Sequence, residues 1–74
     1  MIEIYGKPQC PYCDMAQALC NQKGVEYKYK SLGTDFTREE MMEKFPTART
    51  FPQIIVNGEK IGGYQELKEI FDKE

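Results

Sequence analysis

Apolar and polar positions change period several times along the chain, and each change marks an element. Ile2 and Ile4 flank Glu3 ahead of Gly6, the alternation of a short strand. From Pro11 to about Lys23 the apolar residues Tyr12, Met15, Ala16, Leu19 and Cys20 recur at i, i+3, i+4, i+7 and i+8, with Asp14, Gln17 and Asn21 turned outward. That spacing predicts one face of a helix, which Gly24 stops. Val25, Tyr27 and Tyr29 then alternate with Glu26, Lys28 and Lys30, a second strand whose lysines suit a sheet edge. Strand, helix and strand at these lengths give a parallel, right-handed unit.

Thr37 to Glu40 fits a capping box, opening a short helix to about Phe45 that Pro46 ends. Met41, Met42 and Phe45 read as core filler of that helix. The β-branched run in Gln53-Ile54-Ile55-Val56 predicts a central strand covered on both faces. Asn57-Gly58 predicts a hairpin, with Glu59-Lys60-Ile61 returning. Gly62-Gly63 permits close backbone approach before a last helix from about Tyr64, with Tyr64, Leu67, Ile70 and Phe71 on its inner face. The order β-α-β-α-β-β-α describes an α/β class, and 74 residues without linker or repeat describe one domain, 1–74.

Charge narrows the function. Ten lysines and arginines against twelve acidic residues leave a net charge of -2, without the basic footprint of a nucleic-acid binder. No span of about 18 apolar residues predicts a membrane helix, and Met1 to Tyr5 lacks the basic-then-apolar pattern of a secretory leader. Three cysteines in such a chain point to a reducing, cytoplasmic compartment, where a C-x-x-C pair is catalytic more often than structural. The absence of an obvious exposed apolar run fits a monomer.

The chemistry concentrates in Lys7-Pro8-Gln9-Cys10-Pro11-Tyr12-Cys13, where the first strand gives way to the first helix. Pro11 suits the first helical position and puts Cys10 at or next to the cap. There, unpaired N–H groups and the helix dipole stabilise a thiolate, and Lys7 adds positive charge nearby. Cys13 lies one turn further on the same face, close enough for a disulfide of ordinary geometry. Cys10 is thus expected to be exposed and nucleophilic, Cys13 shielded and resolving. Plainer roles fit less well. Zinc usually takes four ligands, and the chain has three cysteines and no histidine. A structural disulfide over so short a loop ties down little chain. An iron–sulfur cluster shared by two chains, each giving Cys10, stays open. Cys20 lies about 10 Å along the helix from Cys13, too far to bridge it, and reads as a small core side chain or else a regulatory thiol.

Together with this order of elements, Cys10-Pro11-Tyr12-Cys13, Thr50-Phe51-Pro52 and Gly62-Gly63 resemble a small dithiol glutaredoxin of the thioredoxin superfamily, over nearly the whole chain. The resemblance implies a thioredoxin-like fold, a four-stranded mixed sheet flanked by three helices, with Pro52 cis beside the dithiol. It implies a glutathione-dependent thiol–disulfide oxidoreductase without a tightly bound cofactor, glutathione being its co-substrate. Protein disulfides, protein–glutathione mixed disulfides and, by family analogy, ribonucleotide reductase are the implied substrates. Cys10 would form the mixed disulfide with glutathione, Tyr12 would pack beside it and the Phe51 backbone would pair with its cysteinyl unit. Lys7 would meet the glycyl carboxylate, with Thr50 at the same edge. Gly63, Tyr64 and Gln65 would offer backbone donors to the γ-glutamyl carboxylate. Arg49 is either a further carboxylate contact or a solvated loop charge. Where glutaredoxins commonly carry a small residue or cysteine and then aspartate, this chain has Tyr64 and Gln65, and Phe51 stands where valine is frequent. Two alternatives remain: a thioredoxin-like carrier recharged by a flavin reductase, and a cluster-binding dimer, against which Pro11 argues.

Overall fold

A computed structural model describes residues 1–48 and 50–73. The elements are β1 (Ile2–Gly6), α1 (Pro11–Lys23), β2 (Tyr27–Ser31), α2 (Arg38–Lys44), β3 (Gln53–Val56), β4 (Glu59–Gly62) and α3 (Tyr64–Asp72). They form one four-stranded sheet in the order β2-β1-β3-β4. β1 runs parallel to β2, with Ile4 opposite Tyr29, and antiparallel to β3, with Ile4 opposite Ile54. β3 and β4 close an antiparallel hairpin through Asn57 and Gly58, both at positive φ (52° and 84°), as the two-residue turn requires. The sheet is thus mixed, with β2 and β4 at its edges.

The alternation of β1 and β3 distributes the core to both faces of the sheet. Ile2, Ile4 and Ile54 pack with Ala16, Leu19 and Cys20 of α1 and Leu67 and Phe71 of α3. Tyr5 and Ile55 pack on the other face with Phe36, Met41 and Phe45 around α2. Tyr5 meets Phe36 and Phe45 edge-on, with ring centroids 5.3 and 5.2 Å apart. Thr37 and Glu40 form the expected capping box: the Glu40 N–H donates to Thr37 Oγ1 at 3.1 Å, and the Thr37 N–H to Glu40 Oε1 at 3.0 Å.

Three details depart from the sequence reading. β2 begins at Tyr27, not Val25, because the Val25 N–H donates to the Cys20 carbonyl at 3.2 Å. That bond, with Gly24 at φ 70°, closes the end of α1 and withholds Val25 from the sheet. The buried stripe of α1 is Cys13, Ala16, Leu19 and Cys20, while Tyr12 and Met15 are turned outward. Cys13 takes the inward position at the first turn and rotates the stripe by one residue. In α2, Met41 and Phe45 supply the core contacts one turn apart, leaving Met42 in solvent at 64% exposure.

Candidate active site

The dithiol sits where β1 hands the chain to α1. Gln9 takes the left-handed conformation (φ 57°), which turns the backbone from Pro8 into the helix cap. Nothing in the sequence marks Gln9 for this role. Cys10 is the N-cap, Pro11 occupies the first turn, and Cys10 Sγ accepts the Cys13 N–H at 3.2 Å. One of the helix's unpartnered donors is therefore aimed at the sulfur, where it stabilises negative charge. Cys10 and Cys13 are joined as a disulfide, with Cα atoms 5.2 Å apart. Cys13 is fully buried; Cys10 is 7% exposed, so it is mostly covered rather than open as the sequence suggested. The remaining access lies on the Cys10 side alone.

Much of that cover comes from the loop before β3. The Phe51–Pro52 bond is cis, and the Phe51 carbonyl lies 3.9 Å from Cys10 Sγ. Pro52 is buried, and its carbonyl would be only 3.2 Å from a Cβ at Gly63, so the residue before α3 must be small. The loop is held from below by Gln53, whose side-chain amide donates to the Thr50 carbonyl at 2.8 Å. Read from its neighbours alone, Gln53 merely opens the strand, and its place three residues after Thr50 is the one signal of this brace.

The residues named for substrate contact divide around the dithiol. On one side the Lys7 ammonium stands 5.6 Å from the centre of the Phe51 ring, with Thr50 exposed beside it. On the other, the rings of Tyr12 and Tyr64 are paired with centroids 6.0 Å apart, joining the starts of α1 and α3. Gly63 corrects an expectation: its N–H already donates to Glu66 Oε1 at 2.7 Å and is not free for a ligand. The first bond inside α3 runs from the Leu67 N–H to the Gly63 carbonyl, so Tyr64 and Gln65 keep first-turn donors that the helix itself leaves unpartnered. Arg49 lies outside the described residues. Cys20 is fully buried, and burial pushes its thiol above the ordinary range, which suits a core side chain. Among the described residues no group of histidine, cysteine and acidic side chains is arranged to hold a metal ion.

A buried, strand-to-helix Cys-x-x-Cys pair facing a cis proline defines a thiol–disulfide oxidoreductase of thioredoxin-like fold. The glutaredoxin family model matches residues 2–61. Glutaredoxin 3 of Escherichia coli K12 is 38% identical over 66 residues, 89% of this chain and 80% of that one. Among solved structures, glutaredoxin 1 from Francisella tularensis, complexed with cacodylate, superposes with a TM-score of 0.82 at 26% identity, covering 97% of this chain and 92% of the other. The buckwheat glutaredoxin–glutathione complex shares the fold with a TM-score of 0.80 at 22% identity, covering 97% and 68% of the two chains. The chain belongs to the glutaredoxin family.

Proposed function

We propose that the chain is a glutathione-dependent oxidoreductase that reduces protein disulfides and protein–glutathione mixed disulfides. The observation that carries this reading is the juxtaposition of the Cys10 sulfur, the Phe51 carbonyl 3.9 Å away and the first turn of α3 packed against Pro52. An extended thiol peptide laid along Phe51 pairs with its backbone like an added strand and delivers its sulfur to Cys10. Lys7 and Thr50 meet the glycyl end. Tyr12 and Tyr64 flank the peptide, and the Tyr64 and Gln65 N–H groups receive the γ-glutamyl carboxylate at the positive end of α3. Gln65 contributes a hydrogen-bonding side chain rather than a charge. The fold shared with the buckwheat protein, whose structure is a glutathione complex, supports the same arrangement.

Turnover then follows from the unequal sulfurs. The Cys10 thiolate attacks a substrate disulfide, the substrate's S–S bond breaks, and one of its sulfurs leaves as a thiolate and takes a proton. Cys13 gives up its proton, attacks Cys10 and closes the internal disulfide, releasing the second substrate sulfur. Two glutathione molecules restore the dithiol and leave as glutathione disulfide. The test is NADPH oxidation with glutathione and glutathione reductase on a glutathionylated peptide, beside a parallel reaction with thioredoxin reductase and no glutathione. Activity is expected in the first; activity confined to the second would make the chain a thioredoxin-like carrier.

A further inference from the structure

We propose that the cleft beside Phe51 selects protein substrates whose disulfide cysteine is flanked by an acidic residue and an apolar side chain. This rests on the dithiol chemistry above and adds its substrate class. Lys7, Arg38, Met41, Met42, Ala48 and Phe51 line a cleft of about 380 Å³. Among the described residues its lining holds two cations and no carboxylate, a local reversal in a chain of net charge -2. Phe51 is a shared wall: its ring lies 5.6 Å from the Lys7 ammonium, and its carbonyl lies 3.9 Å from Cys10 Sγ. A peptide whose cysteine reacts with Cys10 therefore passes the mouth of the cleft.

The far part of the cleft has an apolar surface with no counterpart in glutathione. Met42 stands 64% exposed on the flank of α2 although Met41 and Phe45 already supply that helix's core contacts. Exposed thioether beside Met41 and Ala48 offers an adaptable apolar surface, and glutathione has no apolar side chain to place there. Arg38, at the start of α2, faces the same space as Lys7. An extended segment paired along Phe51 sends alternate side chains to one side, so residues within two positions of the cysteine reach the cleft. A carboxylate there meets Lys7 and Arg38, and a neighbouring leucine-like side chain covers Met42.

The test uses the reduced full chain in single turnover, without glutathione, on equal-length peptides that each carry one intramolecular disulfide. Two electrons and two protons pass from Cys10 and Cys13 to the peptide, which leaves as a dithiol. The flanks are Glu-Leu, Lys-Leu and Glu-Ser. The Glu-Leu peptide is expected to react about fivefold faster than the Lys-Leu peptide, the scale of one exposed ion pair, and faster than the Glu-Ser peptide. The charge preference should shrink in 1 M salt, reverse in Arg38→Glu and survive in Arg38→Lys. Equal rates on the three peptides, or a preference for lysine, would overturn the proposal. No reaction with the peptides while hydroxyethyl disulfide is still reduced overturns the cleft's role alone; failure with hydroxyethyl disulfide as well overturns the dithiol reading and this proposal with it.

Discussion

Replacing Cys13 with serine removes the sulfur proposed to resolve the mixed disulfide and leaves the surroundings of Cys10 in place, because the group that hydrogen-bonds Cys10 is the backbone N–H of residue 13. The size of the effect follows from the geometry. A group confined to a sphere whose radius is the 5.2 Å Cα separation is present at roughly 3 M. Against external glutathione at about 1 mM, the internal thiol resolves a mixed disulfide about a thousandfold faster, so Cys13→Ser should lose about three orders of magnitude in reducing a protein disulfide. Removal of glutathione from a glutathionylated peptide needs only Cys10 and should persist. Cys10→Ser is the control: serine is a good N-cap, so α1 keeps its start and the melting temperature stays close to wild type, while both activities vanish. Coupled NADPH oxidation on the two substrates, with thermal melts of each variant, reads this out. Equal losses in both variants, or protein-disulfide turnover by Cys13→Ser within about tenfold of wild type, would refute the unequal roles.

Cys20→Ala should lower stability by about 1–2 kcal/mol, since the sulfur fills fully buried space beside α1 and β1, and leave turnover within about twofold. Its effect on pH dependence has a definite sign: burial raises the folded thiol's pKa, an unfolded thiol titrates at about 8.5, and so this contribution is complete below that pH and is lost as pH climbs towards the folded value. Urea titrations at pH 7, 9 and 10 should show a shallower alkaline loss in Cys20→Ala, with the half-buried Tyr29 hydroxyl, also raised, supplying part of what remains; an unchanged slope would count against the assignment. Gly63→Ala sets a Cβ 3.2 Å from the Pro52 carbonyl and must push the start of α3 outward by a few tenths of an ångström. Glutathione KM should rise about three- to tenfold with kcat nearly kept, and an unaltered KM would remove the first turn of α3 from the site.

Much of this was legible because local rules and the fold agree. Pro11 after Cys10, Gly24 after Lys23, the Thr37 box and Asn57-Gly58 each fix a boundary by backbone chemistry alone, and each boundary is found where the residues put it. What escaped the sequence depends on partners distant along the chain. Periodicity counted Tyr12, Met15 and Met42 as core because it measures apolarity, whereas Cys13, Met41 and Phe45 had already filled the inward positions. Cys10 looked open because nothing local says that Phe51, 41 residues away, will lie over it. Gly63 looked like a free donor until Glu66 was seen to turn back on it. The cis isomer at Pro52 came from family resemblance, since X-Pro bonds are cis in only about 5–6% of cases.

β1 is hydrogen-bonded on both sides, to β2 soon after it and to β3 near the end of the chain. During synthesis the sheet cannot close until Val56 has been added, and at about 5–20 residues per second the wait after Cys13 is roughly 2–9 s. Until then the core that covers Cys13 and Cys20 lacks Ile54 and the helix that follows it. On the proposed mechanism, the completed fold is what divides three thiols into a nucleophile, a resolver and a core filler. Choice among the possible pairings is therefore a property of the finished sheet.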